Sequence, residues 1–166
     1  MEAMLPEEDG FVAAQLSLQP QLPTYENQHV NPQGPGDARP TAMQIIHDNA
    51  EAAESFSDKV ILITGCSSGI GVETARALYV TGAKLFITVR DVAKGRKVID
   101  DIVENTRNIA TRKAQGIELI VMHMDRLDAV REAACQIETK TDRLNVIINN
   151  AGTMNYHSHC SYFKHC

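Results

Sequence analysis

The stretch Thr64-Gly65-Cys66-Ser67-Ser68-Gly69-Ile70-Gly71 stands directly behind the apolar run Val60-Ile61-Leu62-Ile63 and ahead of a helical pattern that begins near Val72. A strand, a glycine-rich turn and a helix start, in that order, leave backbone N–H groups facing outward at the positive end of a helix, a site for phosphate. Glycines at 65, 69 and 71 permit positive φ and a close approach of the main chain to a ligand or a neighbouring strand. The rival reading of these residues is a flexible strand-to-helix turn. A Walker-type loop is excluded, because it needs Gly-x-x-x-x-Gly-Lys-Ser/Thr and no lysine follows here.

The pattern around this turn repeats. The run over 60–64 is β-branched and continuous, as in a parallel strand buried on both faces. The following helix carries Val72, Ala75, Leu78 and Tyr79 on one side and ends at Gly82, a residue suited to a left-handed C-cap. Residues 84–89 read as a second strand. A second helix starts behind Asp91 as its cap, with Val92, Val98, Ile99, Ile102 and Val103 inward and Gly95 a weak point of about 1 kcal/mol against alanine. Residues 104–116 read as a helix end and a solvated basic loop. Residues 117–122 form a third strand, Asp128 caps a third helix with Val130, Ala133, Ala134 and Ile137 inward, and 146–148 form a fourth strand. Strands alternating with helices predict an α/β fold, the N-terminal half of a Rossmann-like doubly wound parallel sheet, with ligands beyond the carboxyl ends of the strands.

Ahead of this domain, assigned to 58–152, the texture differs. All six prolines fall in residues 1–40, which predicts an extended, exposed arm, either draped over the domain by Leu16, Leu18, Leu22 and Tyr25 or plainly disordered. After Pro40, Ala42, Ile45, Ile46, Asn49, Ala50 and Ala53 recur at helical spacing, so 41–57 is expected to form one amphipathic helix of about four turns. His47 and Asp48 read as solvated surface.

A net charge of −5 without a basic cluster argues against nucleic acid as partner. No apolar run reaches the ~18 residues of a membrane span, and the start lacks a secretory pattern, so the expectation is a soluble, cytoplasmic protein. Cysteines 66, 135, 160 and 166 show no disulfide framework and read as free thiols.

At this point the chain resembles the short-chain dehydrogenase/reductase family. Residues 64–71 look like the family's Thr-Gly-x-x-x-Gly-x-Gly cofactor motif, and Asn149-Asn150-Ala151-Gly152 looks like its Asn-Asn-Ala-Gly motif. The resemblance covers roughly 58–154, and the arm with the helix after it is similar to fungal members with an N-terminal extension. It implies that Gly65, Ser67, Ser68, Gly69, Ile70 and Gly71 border the cofactor pyrophosphate, that Asp125 meets the adenine ring, and that Asn149, Asn150 and Ala151 lie beside the riboses. An NAD enzyme places an acidic residue about 20 positions past the glycine motif, at the end of strand two. Arg90 stands there, and its guanidinium suits a 2′-phosphate, so NADP(H) is expected as cofactor, with Lys94 as a second cation.

The family's reduction also needs a tyrosine with a lysine four residues later and an upstream serine. The residues four past Tyr25, Tyr79, Tyr156 and Tyr162 are His29, Ala83, Cys160 and Cys166, so no tyrosine fits. After Met154 the sequence departs from the family. Residues 153–166 form an atypical His/Cys-rich tail, in which His157, His159, Cys160, His165 and Cys166 suit zinc by type but match no closed-site spacing, and no metal is expected. The expectation is therefore a truncated family member that keeps its NADP-binding half and is inactive alone. Full-length relatives would act on small carbonyl or alcohol substrates, in specialised metabolism. The alternative is a non-catalytic binding or interaction module that docks or self-associates through the open edge of strand four.

Overall fold

The structure, a computed structural model, describes residues 25–34, 36–109 and 115–152. The leucines of the expected drape and the whole His/Cys-rich tail lie outside these residues. The chain divides into two units, Met1–Pro40 and Thr41–Cys166. In the first, the described residues hold a single helical turn, α1 (Glu26–His29), and a loop gathered by Asp37. The Asp37 carboxylate accepts from the N–H groups of Gln33 at 2.8 Å and Arg39 at 3.1 Å. The Arg39 side chain beside it holds that carboxyl well below the usual range. The expectation of an extended arm thus meets one short helix among its described residues.

The second unit contains α2 (Ala42–Asp48), α3 (Ala50–Glu54), β1 (Val60–Ile63), α4 (Ile70–Tyr79), β2 (Lys84–Val89), α5 (Val92–Thr106), β3 (Ile117–Val121), α6 (Leu127–Glu138) and β4 (Val146–Ile148). All strand pairs are parallel, in the order β3-β2-β1-β4. The chain therefore builds outward from β1 through β2 to β3 and then returns to the other side of β1. The reversal falls between β1 and β4, where a doubly wound sheet opens its binding crevice.

Register explains the two faces. Ile61, Ile63, Leu85 and Ile87 project to one side, where they are fully buried with Ala75 and Ile102 of α4 and α5. Val60, Phe86 and Ile120 project to the other, against Ala133 and Ile137 of α6. On that second side Phe86, Leu62 and Ile147 are cross-strand neighbours. Phe86 is fully buried, Leu62 is half-buried and Ile147 is 56% exposed. The expectation of a first strand buried on both faces holds at Val60, Ile61 and Ile63 and loosens at Leu62, beside the exposed Ile147.

Several local expectations are corrected. The single helix over 41–57 is two helices that meet at Asn49, whose φ is −116° and ψ is 41°. Asn49 gives both its backbone N–H, at 3.2 Å, and its Nδ2, at 2.8 Å, to the Ile45 carbonyl. A side chain that competes for the backbone in this way ends a helix. Gly95 is not a weak point, because a Cβ there would run into the side chains of Leu119 and Val89, so glycine is what lets α5 close on the sheet. Val92, expected inward, is exposed. Asp128 does not cap α6. The N-cap is Arg126, and Asp128 sits in the first turn paired with that arginine.

Other expectations match. Asp91 caps α5, its Oδ1 accepting from the N–H groups of Ala93 at 2.8 Å and Lys94 at 3.2 Å. Gly82 takes the expected positive φ, +87°, although the C-cap of α4 is Val80, two residues earlier. Among the described residues no helix is long and apolar enough to cross a membrane.

Candidate nucleotide-binding site

The carboxyl ends of all four strands open into one cleft of about 710 Å³. From the end of β1 come Gly65, Ser67, Ser68, Ile70 and Gly71, and from the end of β2 come Thr88, Val89 and Arg90. Met122, Met124 and Asp125 follow β3, and Asn150, Ala151 and Gly152 follow β4.

The glycine turn is held on two sides. Toward β2, the Gly65 N–H donates to Thr88 Oγ1 at 3.2 Å and the Cys66 N–H donates to the Thr88 carbonyl at 3.0 Å. Toward β4, Asn150 Nδ2 donates to the carbonyls of Thr64 at 2.9 Å and Gly65 at 3.2 Å, and the Ala151 N–H donates to Thr64 Oγ1 at 2.9 Å. These contacts demand glycine. A Cβ on Gly71 would meet Asn150 Nδ2 at 2.5 Å and the Gly65 carbonyl at 2.7 Å, and one on Gly65 would meet the Ala151 Cα at 2.8 Å. The two sequence motifs, separated by almost the whole domain, therefore pack on each other.

Cys66 turns away from the cleft into the core, with its Sγ 3.5 Å from the Ile63 carbonyl. Burial pushes its thiol up to about 12, so it is neutral and inert at physiological pH. Beyond it the backbone changes character. Among the described residues, the N–H groups of Ser67, Ser68, Gly69, Ile70 and Gly71 make no well-formed intramolecular hydrogen bond. Gly69, at φ +66°, is the N-cap of α4, and its carbonyl receives the Val72 N–H at 3.1 Å. A run of free donors at a helix start, beside the cleft, can bind an anion such as a pyrophosphate.

At the rim, Arg90 is exposed and stands immediately before Asp91, whose carboxylate is committed to the α5 cap. Asp125 is exposed on the β3 side. Of the residues expected at a cofactor site, Gly65, Ser67, Ser68, Ile70, Gly71, Arg90, Asp125, Asn150 and Ala151 share this cleft. Gly69 shapes the turn without lining it. Lys94 lies in the first turn of α5 outside the lining. Asn149 instead lines a separate groove of about 410 Å³ on the α6 face, with Leu62, Leu144 and Ile147.

Sequence reasoning passed over Thr64 and Thr88, whose hydroxyls tie the turn to its neighbours. The available signal was polarity. Each is a buried threonine near the carboxyl end of a largely apolar run, and a buried hydroxyl needs a partner.

Residues 59–163 match the family model for short chain dehydrogenases. The chain is 42% identical over 130 residues to the short-chain dehydrogenase/reductase prx1 of Penicillium rubens, covering 78% of this chain and 35% of that protein. It is 46% identical over 133 residues to the oxidoreductase calI of Penicillium decumbens, covering 79% and 37% of the two chains. The chain thus spans about a third of the length of these curated relatives. Among solved structures, a metagenomic short-chain oxidoreductase in complex with NADP is 34% identical at a TM-score of 0.51, covering 60% of this chain and 41% of that one.

Proposed function

The chain belongs to the short-chain dehydrogenase/reductase family, and from that premise we propose that its cleft binds NADP(H) in preference to NAD(H). The observation that carries the choice is the pairing of Arg90 with a spent carboxylate. Arg90 lines the cleft at the end of β2, while the adjacent Asp91 gives its Oδ1 to two N–H groups of α5. A free carboxylate there would accept ribose hydroxyls and repel a 2′-phosphate; a guanidinium does the reverse. The related oxidoreductase with bound NADP supports the same choice.

In this reading the free N–H groups of 67–71 take the pyrophosphate, Arg90 takes the 2′-phosphate with Lys94 as a further cation, and Asp125 takes the adenine. Asn150 and Ala151 flank the nearer ribose, with Asn149 beside them. The cofactor, when bound, supplies or accepts a hydride. The residues of this chain bind and orient it. Nothing among them forms the Tyr-x-x-x-Lys pair that would exchange a proton with a substrate oxygen. General acid–base help is worth about 10²- to 10⁴-fold, so this polypeptide assayed alone is expected to bind NADPH without turnover. Full-length relatives would interconvert carbonyls and alcohols of small molecules in specialised metabolism. The proposal keeps the cytoplasmic location expected from the sequence.

Titration of NADPH and NADH against the wild type and Arg90→Ala tests the assignment. The wild type should prefer NADPH, and Arg90→Ala should lose about tenfold on NADPH alone, in line with one charge-assisted contact. Equal NADPH affinity in the two proteins would remove the argument.

A second reading, an interaction module that self-associates, is favoured by one observation. Among the described residues no strand pairs with the outer edge of β4, and its central residue Ile147 is exposed beside the α6-face groove. A second copy could pair edge to edge there. Light scattering over a hundredfold range of concentration should then show a dimer that Ile147→Lys abolishes; a monomer throughout removes this reading.

A further inference from the structure

Thr88 stands on β2 between Ile87 and Val89, and it is 2% exposed. Thr88 lines both clefts and bonds the glycine turn. Its two polar groups satisfy the first two N–H groups after Thr64. Oγ1 accepts from Gly65 at 3.2 Å, and the carbonyl accepts from Cys66 at 3.0 Å. The five N–H groups that come next make no well-formed intramolecular hydrogen bond among the described residues. The division between used and free donors therefore falls directly after the residues that Thr88 holds. Valine has the same shape and would pack equally well on this strand, but it leaves the Gly65 N–H unpaired inside the protein.

We propose that Thr88 is a positioning residue for anion binding: its hydroxyl pins the Gly65 amide, so that the turn presents the 67–71 amides to the cofactor pyrophosphate as a preformed cradle. This rests on the cleft's being the NADP(H) site. A donor array set before the ligand arrives loses little entropy on binding, whereas a turn free to swing from Gly65 must be ordered by the ligand. Thr88 itself touches no phosphate in this arrangement. Its effect passes through the Gly65 amide.

The test compares the wild type, Thr88→Val and Thr88→Ser, each as the full 166-residue chain, by NADPH titration well below the melting temperature and by amide hydrogen exchange without ligand. Thr88→Val should bind NADPH about tenfold more weakly, while Thr88→Ser, which keeps the hydroxyl, should stay within about threefold of the wild type. Exchange at the Gly65 amide should be slow in the wild type and in Thr88→Ser and fast in Thr88→Val. Exchange at Cys66, bonded to a carbonyl that every variant keeps, should change little. A folded Thr88→Val with wild-type affinity overturns the role of Thr88 and leaves the cofactor reading standing. A wild type that binds no NADPH overturns the cofactor reading and this proposal with it. If Thr88→Val does not fold, the wild-type exchange still decides, because a rapidly exchanging Gly65 amide is incompatible with pinning.

Discussion

The two faces of the sheet are made from the same four strands and solve the burial problem to different degrees. On the face covered by α4 and α5, Ile61, Ile63, Leu85 and Ile87 are fully buried. On the face covered by α6, burial is complete at Phe86 and falls away through Leu62 to Ile147, which borders an open groove. The first face is apolar along all four strands, whereas the second also carries Lys84, Thr88 and Glu118. Among the described residues two helices cover the first face and one the second, so the contrast reflects both the strands' own composition and the neighbours available to cover them. The cleft at the strand ends belongs to the better-covered part of the sheet, since the turn from β1 into α4 is anchored on β2.

The largest expected effect comes from breaking the covered face. Ile63→Ala should cost roughly 2–5 kcal/mol, the range for a truncated aliphatic side chain in a closed core, whereas Ile147→Ala should cost less than about 1 kcal/mol. Urea midpoints of the two variants would measure the contrast directly, and equal losses would erase it. Next comes Gly95→Ala, where two rules oppose each other. Helix propensity favours alanine by about 1 kcal/mol, but the new Cβ collides with Leu119 and Val89. Overpacking of this kind costs about 1–3 kcal/mol, so a net loss of stability is expected, and a gain would show that α5 sits farther from the sheet than described. Asp91→Ala should then cost about 1 kcal/mol through loss of the α5 cap.

The smallest effect lies on the thinly covered face, at Glu118, the cross-strand neighbour of Phe86. Lys140 at 2.6 Å and Lys84 at 3.0 Å hold its carboxyl below the ordinary glutamate value. A lowered folded-state value means that the contribution is complete at neutral pH and is lost as the pH falls from the ordinary value through the lowered one. For a partly exposed pair it should be under about 1 kcal/mol. The stability gap between wild type and Glu118→Gln should therefore narrow on acidification and with added salt; a gap that widens in acid would reverse the assignment.

The order of strands and helices in the second unit was legible in the sequence because each element carries one dominant period and is bounded by punctuation such as Gly82 and Asp91. That the 64–71 turn and 149–152 border one ligand was legible only through family resemblance, and their direct packing on each other was not legible. Nothing in the local pattern of Asn150 shows that its amide will reach the carbonyls of Thr64 and Gly65. The misreadings share a cause. Spacing alone places Asn49 inside a helix, and intrinsic preference alone makes Gly95 a weak point and Asp128 a cap, but each is decided by a partner: the Ile45 carbonyl, the side chain of Leu119 and the guanidinium of Arg126. The exposure of Ile147 could not be read from the strand itself, because it depends on which helix lies above it.

The central claim, that the cleft at the 64–71 turn is an NADP(H) site, is tested most directly by melting the wild-type chain with and without NADPH. A ligand at about 100 times its dissociation constant adds about 2.7 kcal/mol, which for a domain of this size raises the melting temperature by roughly 10 °C. NADH at the same concentration should raise it less. A melting temperature unmoved by millimolar NADPH would contradict the account.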